Sequence, residues 1–221
     1  MFSGIKKDIN AIRERDPAAR TAFEVIILYP GLHAIALHRP AHWLYRNKAY
    51  FPARLISQFS RFLTGIEIHP GAKIGRGVLI DHGSGVVIGE TAEIGDNCTI
   101  YQGVTLGGTG KEKGKRHPTL GNDVLVGSGA KILGPFTIGD GAKVASNAVV
   151  LQPLPKGATA VGVPARVVKV NGKRVRDKLD HIHTPDPVSQ ELCRLQAELG
   201  RMKKRLDQLE SKDGVGLSSD E

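Results

Sequence analysis

Three short polar clusters in this 221-residue sequence carry side chains suited to acid–base chemistry. They are Glu67 with His69, Asp81 with His82, and Arg116 with His117. A carboxylate beside a histidine fixes the tautomer of the imidazole and raises its basicity. Such a histidine can take the proton of a hydroxyl group while the oxygen attacks a carbonyl carbon. The clusters therefore indicate acyl transfer with His82 as general base; the alternative is that His82 only hydrogen-bonds a turn.

A six-residue repeat of aliphatic side chains organises the middle of the chain. Small or modest apolar residues often stand four places after the aliphatic positions, and glycine often follows them directly. Neither an amphipathic helix nor an alternating strand has this period. It is typical of a triangular solenoid in which each hexad forms one strand and one corner, and it suffices for about four coils. The aliphatic positions, which we expect to form the core, are Ile68, Ile74, Ile80, Ile88, Ile94, Ile100, Leu106, Leu120, Val126, Ile132, Ile138, Val144 and Val150.

The repeat breaks at two places, and both breaks coincide with polar clusters. The step to the next aliphatic position grows to eight residues after Ile80, which predicts a bulged corner containing His82. It grows to fourteen residues after Leu106, which predicts a loop over 107–119 containing Arg116. Loops that leave a rigid scaffold are the usual location of catalytic residues, so we expect the chemistry at these breaks.

Segments of other character flank the solenoid, which we place at residues 66–151. Residues 1–65 contain apolar stretches at helical spacing, which predict a small helical cap on the first coil. In this segment we expect Asp16 to be the N-cap of the second helix, Pro30–Gly31 to end that helix, and Gly65 to end the last helix. Residues 152–178 leave the period and predict an end cap followed by a basic tail.

The remaining C-terminal residues predict a coiled-coil helix at 186–211 and a disordered end at 212–221. Apolar residues there alternate in steps of four and three, which is a heptad seam. The seam consists of Val188, Leu192, Leu195, Leu199, Met202, Leu206 and Leu209. The predicted fold class is therefore mainly β, with an α-helical N-terminal segment, a parallel solenoid and a C-terminal helix.

Composition excludes several classes of protein. The formal net charge is +9, but only 5% of the residues are aromatic and no nucleic-acid recognition motif is present, so we expect an anionic small molecule and no nucleic acid. The two cysteines predict no disulfide, and Cys98 fills a small-residue slot of the repeat. His33, His38 and His42 lack metal-ligand spacing, so no metal is expected. Without a signal peptide or a long apolar run, the chain is predicted to be cytoplasmic and not to bind a membrane.

Four motifs in the sequence resemble the serine O-acetyltransferases, the hexapeptide-repeat enzymes of cysteine biosynthesis. The motifs are Arg-Glu-Arg-Asp-Pro-Ala at 13–18, Asp-His-Gly-Ser-Gly-Val-Val-Ile-Gly-Glu-Thr-Ala at 81–92, Gln-Gly-Val-Thr-Leu-Gly-Gly-Thr-Gly at 102–110 and Lys-Arg-His-Pro at 115–118. The resemblance covers about Ile5 to Val168. It implies a left-handed parallel β-helix that transfers acetyl from acetyl-CoA to the hydroxyl of L-serine, giving O-acetylserine and CoA.

The resemblance also assigns roles to residues of this chain. His82 is the general base, oriented by Glu67 where the family commonly has aspartate, and the acetyl group passes directly without an acyl-enzyme. The residues that match serine-binding positions are Asp16, Asp81, Arg116 and His117. Arginine can bind the substrate carboxylate bidentately while aspartates pair with its ammonium. The residues assigned to CoA are Ser128, Gly129, Lys143 and Ser146.

The resemblance further implies a homotrimer with the active site between neighbouring prisms, where His82 and His117 of adjacent chains meet. Because the sequence starts close to the Asp-Pro helix, we do not expect a hexamer. It ends at Ser218–Glu221 rather than in the isoleucine that docks into the partner sulfhydrylase in longer relatives, so that docking is expected to be absent or altered. The heptad seam is expected to serve instead as a trimer clasp.

Three other functions remain open from the sequence. One is a hexapeptide acyltransferase with a sugar or antibiotic acceptor. Another is a zinc carbonic anhydrase using His69, His82 and His117, although its usual pair of histidines five residues apart is missing near the bulge. The third is a non-catalytic scaffold.

Overall fold

The N-terminal segment forms a helical cap. The computed structural model describes residues 2–110, 113–174, 195, 198–203 and 205. The helices that precede the first strand are α1 (Phe2–Arg15), α2 (Ala22–Leu28), α3 (Pro30–Arg46) and α4 (Tyr50–Thr64). Within the described residues, no helix is both long and apolar enough to cross a bilayer.

The second helix begins later than expected, at a different cap. Thr21 is the N-cap of α2, and its hydroxyl accepts a hydrogen bond from the Glu24 backbone N–H at 3.1 Å. The prediction that Asp16 caps this helix is wrong. Asp16 follows α1, and its Oδ1 accepts a hydrogen bond from the Ala18 backbone N–H at 2.8 Å. Threonine followed by glutamate three residues later is the spacing of a capping box, which decides the start of α2.

The other helix ends follow from proline and glycine. The second helix ends at Leu28, just before Pro30–Gly31, as predicted. Pro30 also lies in the first turn of α3, so the same residue begins the next helix. The helix continues through Pro40. The predicted end of α4 is confirmed: Gly65 has a left-handed φ of 70° and donates to the Arg61 carbonyl at 2.8 Å.

Short strands follow the hexads in sequence. They are β1 (Glu67–Ile68), β2 (Lys73–Ile74), β3 (Leu79–Asp81), β4 (Val87–Ile88), β5 (Glu93–Ile94), β6 (Thr99–Tyr101), β7 (Thr105–Gly107), β8 (Thr119–Leu120), β9 (Leu125–Val126), β10 (Lys131–Leu133), β11 (Thr137–Ile138), β12 (Lys143–Val144), β13 (Val149–Val150), β14 (Ala158–Val161), β15 (Arg166–Val170) and β16 (Lys173–Arg174). Each hexad thus gives one strand, as predicted.

The strands form three parallel sheets, which are the faces of a prism. Face A contains β1, β4, β7, β10 and β13; face B contains β2, β5, β8 and β11; face C contains β3, β6, β9, β12 and β14. Pairing joins equivalent hexads of successive coils, for example Ile68 to Ile88 and Ile88 to Leu106. The chain therefore runs from face A to B to C and back to A, once in every coil. The predicted triangular solenoid is confirmed.

The hexad side chains fill the prism as expected. All of the aliphatic positions except Ile74 are at most 5% exposed, and Ile74 packs against the same cluster. Cys98 is fully buried, its Sγ lies 3.1 Å from the Gly121 carbonyl oxygen, and burial raises the pKa of its thiol to about 11. The thiol is thus a packing group, as its place in the repeat predicts.

The solenoid continues past the predicted boundary at residue 151. Leu154 bridges to Ile138, and β14 adds a parallel strand to face C before β15 and β16 turn antiparallel. Because the antiparallel pair covers the last open edge, it ends the stack. The predicted basic tail beyond 174, and most of the predicted helix at 186–211 and tail at 212–221, lie outside the described residues.

The C-terminal unit, considered by itself, contains a helical stretch at 198–203. Three positions of the heptad seam are among its described residues. Leu195, Leu199 and Met202 are 47%, 65% and 64% exposed, respectively. Large apolar side chains at these positions are therefore available for contacts with another helix.

Candidate active site

The prism has three edges, and most of the proposed site residues occupy two of them. The C–A corner lies where the chain passes from face C to face A, as between β3 and β4. The A–B corner lies where it passes from face A to face B, as between β4 and β5. Each corner recurs in every coil, so residues of one corner form a column along the prism.

His82 lies at the C–A corner, in the first break of the repeat. It has a left-handed φ of 50°, although Gly85 already supplies the left-handed residue that this corner has in the neighbouring coils. The two extra residues of the step thus produce a second, strained position. The His82 side chain is 80% exposed, and its Nε2 lies 3.7 Å from Asp81 Oδ1. The bulge therefore presents an imidazole to solvent with a carboxylate beside it.

Glu67 lies at the same corner, because it is the first residue of β1 on face A. Gly65 accepts a hydrogen bond from Gly85 at 3.0 Å, which places the start of β1 directly against the bulge. The ion pair of Glu67, however, is with Arg61 of α4, at 3.2 Å between Oε2 and Nη1. The role of Glu67 as the residue that orients His82 thus stays a prediction.

Asp16 approaches this corner from the helical cap. The Tyr29 hydroxyl donates to Asp16 Oδ2 at 2.5 Å. Burial and the hydrogen bond to Asp16 raise the pKa of Tyr29 to about 12, and the charge of Asp81 acts in the same direction. Tyr29 therefore lies close enough to Asp16 and Asp81 for both carboxylates to raise its pKa. The two predicted ammonium-binding aspartates lie on the same side of the molecule.

His117 lies at the A–B corner, where the long loop returns to β8. The residue is 9% exposed, and its Nδ1 accepts a hydrogen bond from the Thr91 backbone N–H at 3.2 Å. The remaining proton of the neutral ring is consequently on Nε2, which makes that atom a hydrogen-bond donor. Burial, followed by the charge of Arg116, lowers the pKa of His117 and favours this neutral form.

Gly89 makes room for this imidazole. A Cβ at residue 89 would lie 2.0 Å from Cδ2 and 2.1 Å from Nε2 of His117. No real side chain tolerates such distances, so any other residue would displace the ring. The Gly89 that follows Ile88 in the repeat thus also positions a predicted serine-binding residue.

Arg116 is held by residues that sequence reasoning missed. Its Nη2 donates to Glu90 Oε2, and the Tyr45 hydroxyl donates to Glu90 Oε1 at 2.5 Å. The Arg116 backbone N–H donates to the Thr91 hydroxyl at 3.0 Å. Glu90 and Thr91 belong to the motif at 81–92 and occupy the corner after β4, which is the signal that marks them. Tyr45 on α3 has no such signal.

The two groups of residues lie at different edges of the same prism. His82 is at the C–A corner and His117 is at the A–B corner, and face A separates them. The sequence prediction that they meet within one site thus cannot be met by the two residues of one chain. His69 shares the A–B corner with His117, so the three histidines of the zinc alternative do not converge either. Among the described residues, no group of three potential ligands could hold a metal ion.

Most of the predicted CoA residues lie in the column above His82. The C–A corner continues through Gly103, Ser128–Gly129 and Ser146 in successive coils. Backbone hydrogen bonds stack these corners: Gly103 donates to Ser84 at 2.9 Å, and Gly129 to Gln102 at 2.8 Å. Lys143 is the first residue of β12, at the end of face C that lies away from this column.

Comparison with known proteins gives a consistent answer. Residues 117–152 match the family described as "Bacterial transferase hexapeptide (six repeats)". A serine acetyltransferase of Bacillus subtilis is 58% identical over 214 residues, which cover 94% of this chain and 99% of that protein.

Solved structures agree in fold. The serine acetyltransferase of Neisseria gonorrhoeae in complex with serine is 41% identical with a TM-score of 0.74, covering 76% of this chain and 69% of that one. The soybean serine acetyltransferase apoenzyme is 47% identical with a TM-score of 0.72, covering 75% of this chain and 68% of that one. With this identity across nearly the whole chain, joined to the hexapeptide prism and its two polar corners, the chain belongs to the serine acetyltransferase family.

Proposed function

We propose that this chain transfers acetyl from acetyl-CoA to the hydroxyl of L-serine, giving O-acetyl-L-serine and CoA, the first step of cysteine biosynthesis. The observation that carries the proposal is the exposed, strained His82 beside Asp81, at the foot of a column of small residues. The family relationship supports the same reaction. The described residues offer a general base and no reactive thiol, since Cys98 is buried, which favours direct transfer.

In the proposed reaction, His82 takes the proton of the serine hydroxyl as its oxygen attacks the thioester carbonyl of acetyl-CoA. The tetrahedral intermediate then expels the CoA sulfur, and the C–S bond breaks as the new C–O bond is retained. The imidazolium returns the proton to the departing thiolate, so the enzyme ends unchanged. Left-handed backbone at His82 is the feature that aims the imidazole outward.

Both charges of serine find complementary groups. Arg116 binds the carboxylate, and the Nε2–H of His117 adds a second donor. Asp16 and Asp81 bind the ammonium. A sugar or simple alcohol would leave these charged groups unpaired, which disfavours the alternative acceptors.

CoA is proposed to lie along the C–A corner. The small residues Ser128, Gly129 and Ser146 let the pantetheine arm approach the backbone closely. Lys143, at the far end of the adjacent face C, is proposed to reach one of the negatively charged groups of CoA with its long side chain. The thioester end of the arm then reaches the bulge that carries His82.

The complete site is proposed to form between two chains of a homotrimer. One chain contributes His82, Glu67 and the small-residue column from its C–A corner. Its neighbour contributes Arg116 and His117 from its A–B corner. Three prisms arranged around an axis bring the C–A corner of one chain and the A–B corner of the next together three times. The exposed heptad positions Leu195, Leu199 and Met202 support a clasp that closes the trimer.

The proposed activity is tested by measuring thiol release from acetyl-CoA with a panel of acceptors. We expect turnover with L-serine and a fall of kcat/KM by about 10⁴ with ethanolamine, which lacks the carboxylate. A sugar or aminoglycoside turned over faster than serine would overturn the proposal.

Replacing Glu67 with glutamine should lower kcat for serine by about 10-fold and leave the unfolding temperature nearly unchanged. A neutral amide stabilises the imidazolium form of His82 less than a carboxylate does. Because the substitution also removes the ion pair with Arg61, Arg61→Met is the matched control and should retain kcat. Unchanged kcat in Glu67→Gln would remove Glu67 from the mechanism.

A further inference from the structure

A chain of polar contacts at the A–B corner links the helical cap to the end of the long loop. Tyr45 on α3 donates to Glu90, which follows β4, and Arg116 donates to the other oxygen of the same carboxylate. The three residues come from segments far apart in sequence. These polar contacts therefore depend on the tertiary fold, and the activity described above does not by itself require them.

The contacts with Tyr45 and Arg116 keep the Glu90 carboxyl group in its anionic form. The hydrogen bond from Tyr45, more than any other influence, lowers the pKa of Glu90. In return, the hydrogen bond to Glu90 and burial raise the pKa of Tyr45 to about 12, so Tyr45 remains a donor across the physiological range. The Tyr45 ring is itself held edge-on against His69, with ring centroids 5.5 Å apart. The carboxylate is thus anchored from the side opposite Arg116.

Arg116 needs such an anchor because of its position. It lies at the end of the long segment between β7 and β8, and its side chain is 31% exposed. A long side chain in this setting has many rotamers, and binding a carboxylate bidentately requires one of them. The bond to Glu90 uses one hydrogen of Nη2, which leaves the second Nη2 hydrogen, together with its neighbour on Nη1 or Nε, to bind an incoming carboxylate bidentately.

We propose that Glu90, anchored by Tyr45, is a positioning residue that holds the Arg116 guanidinium ready for the carboxylate of the acceptor. The inference rests on the proposed function, in which Arg116 binds serine. It differs from a competing possibility, in which Glu90 is a latch that occupies Arg116 and must be displaced by substrate. A positioning residue lowers the KM for serine, whereas a latch raises it.

Glu90→Gln distinguishes the two by the sign of its effect. We expect the KM for serine to rise by about 10-fold, with kcat and the KM for acetyl-CoA changed by less than about two-fold, since a charge-assisted bond is lost. Tyr45→Phe should raise the same KM by about three-fold, because it removes one neutral donor. Asp96→Asn is the matched control: Asp96 lies between β5 and β6, away from Arg116, pairs with Lys7 at 3.0 Å, and should leave every constant unchanged.

A double-mutant cycle shows whether Glu90 acts through Arg116. In an Arg116→Ala background, adding Glu90→Gln should produce no further rise in the KM for serine. A full additional rise in that background, or a fall in KM in the single variant, would overturn the proposal. Wild-type turnover of serine is measured in the same series. Its absence would contradict the proposed function, whereas variant ratios alone decide the role of Glu90.

Discussion

Replacing His82 with alanine should lower kcat by about 10²–10⁴ while the prism stays folded. The imidazole is the proposed general base, and acid–base catalysis of this kind contributes effects of that size. Its side chain is 80% exposed and makes no contribution to the core. The measurement is kcat at saturating serine and acetyl-CoA, together with the unfolding temperature.

A second substitution at the same position separates catalysis from folding. His82→Gly should be as inactive as His82→Ala but should unfold at a higher temperature, because glycine adopts the φ of 50° without strain. Asp123→Ala is the control for strain elsewhere: Asp123 also has a left-handed φ, of 56°, but lies between β8 and β9 on the corner away from face A. It should retain kcat. Wild-type kcat in His82→Ala would exclude His82 as the base.

Replacing Gly89 with alanine should lower kcat/KM for serine by about 100-fold. The new Cβ would lie 2.0 Å from the His117 ring, so the imidazole must move by about an ångström or more, and displacements of that size cost about that factor. The same crowding should lower the free energy of unfolding by about 1–3 kcal/mol. Steady-state kinetics and chemical denaturation measure the two effects.

The His117→Ala background is the control for Gly89. Once the ring is gone, Gly89→Ala meets no imidazole and should cause little further loss of kcat/KM. If Gly89→Ala reduces kcat/KM by the same factor with and without the ring, the explanation through His117 is wrong.

The repeat made the solenoid predictable because its physics is local and periodic. When an aliphatic residue recurs at every sixth position, the triangular solenoid is the arrangement that buries all of these side chains. Every such position except Ile74 is indeed almost fully buried. The breaks were predictable for the same reason, since extra residues in a fixed period must leave the stack. The bulge at His82 follows directly.

Helix starts were less predictable, because several local signals compete. Asp16 followed by Pro17 looks like a helix start, but the capping box beginning at Thr21 sets the actual one. Asp16 instead closes a turn and accepts a hydrogen bond from the Tyr29 hydroxyl. The resemblance therefore singled out Asp16 as a candidate serine-binding residue, whereas the local sequence pattern gave it the wrong structural role.

The polar partners of Arg116 could not be predicted from the repeat. Tyr45 lies on a helix outside the period, and only the packing of α3 against the first coils brings it to Glu90. To predict that His82 and His117 lie at two different corners, one must count the strands through both breaks of the repeat. That separation is what makes one chain insufficient for the proposed site.

The most direct test of the account is complementation between two defective chains. His82→Ala and Arg116→Ala are co-expressed with different tags, and trimers carrying both tags are isolated by successive affinity steps. Every mixed trimer contains one interface with both intact residues, so at limiting serine we predict about one third of wild-type activity. Mixed trimers no more active than the two parent variants would contradict a site shared between chains.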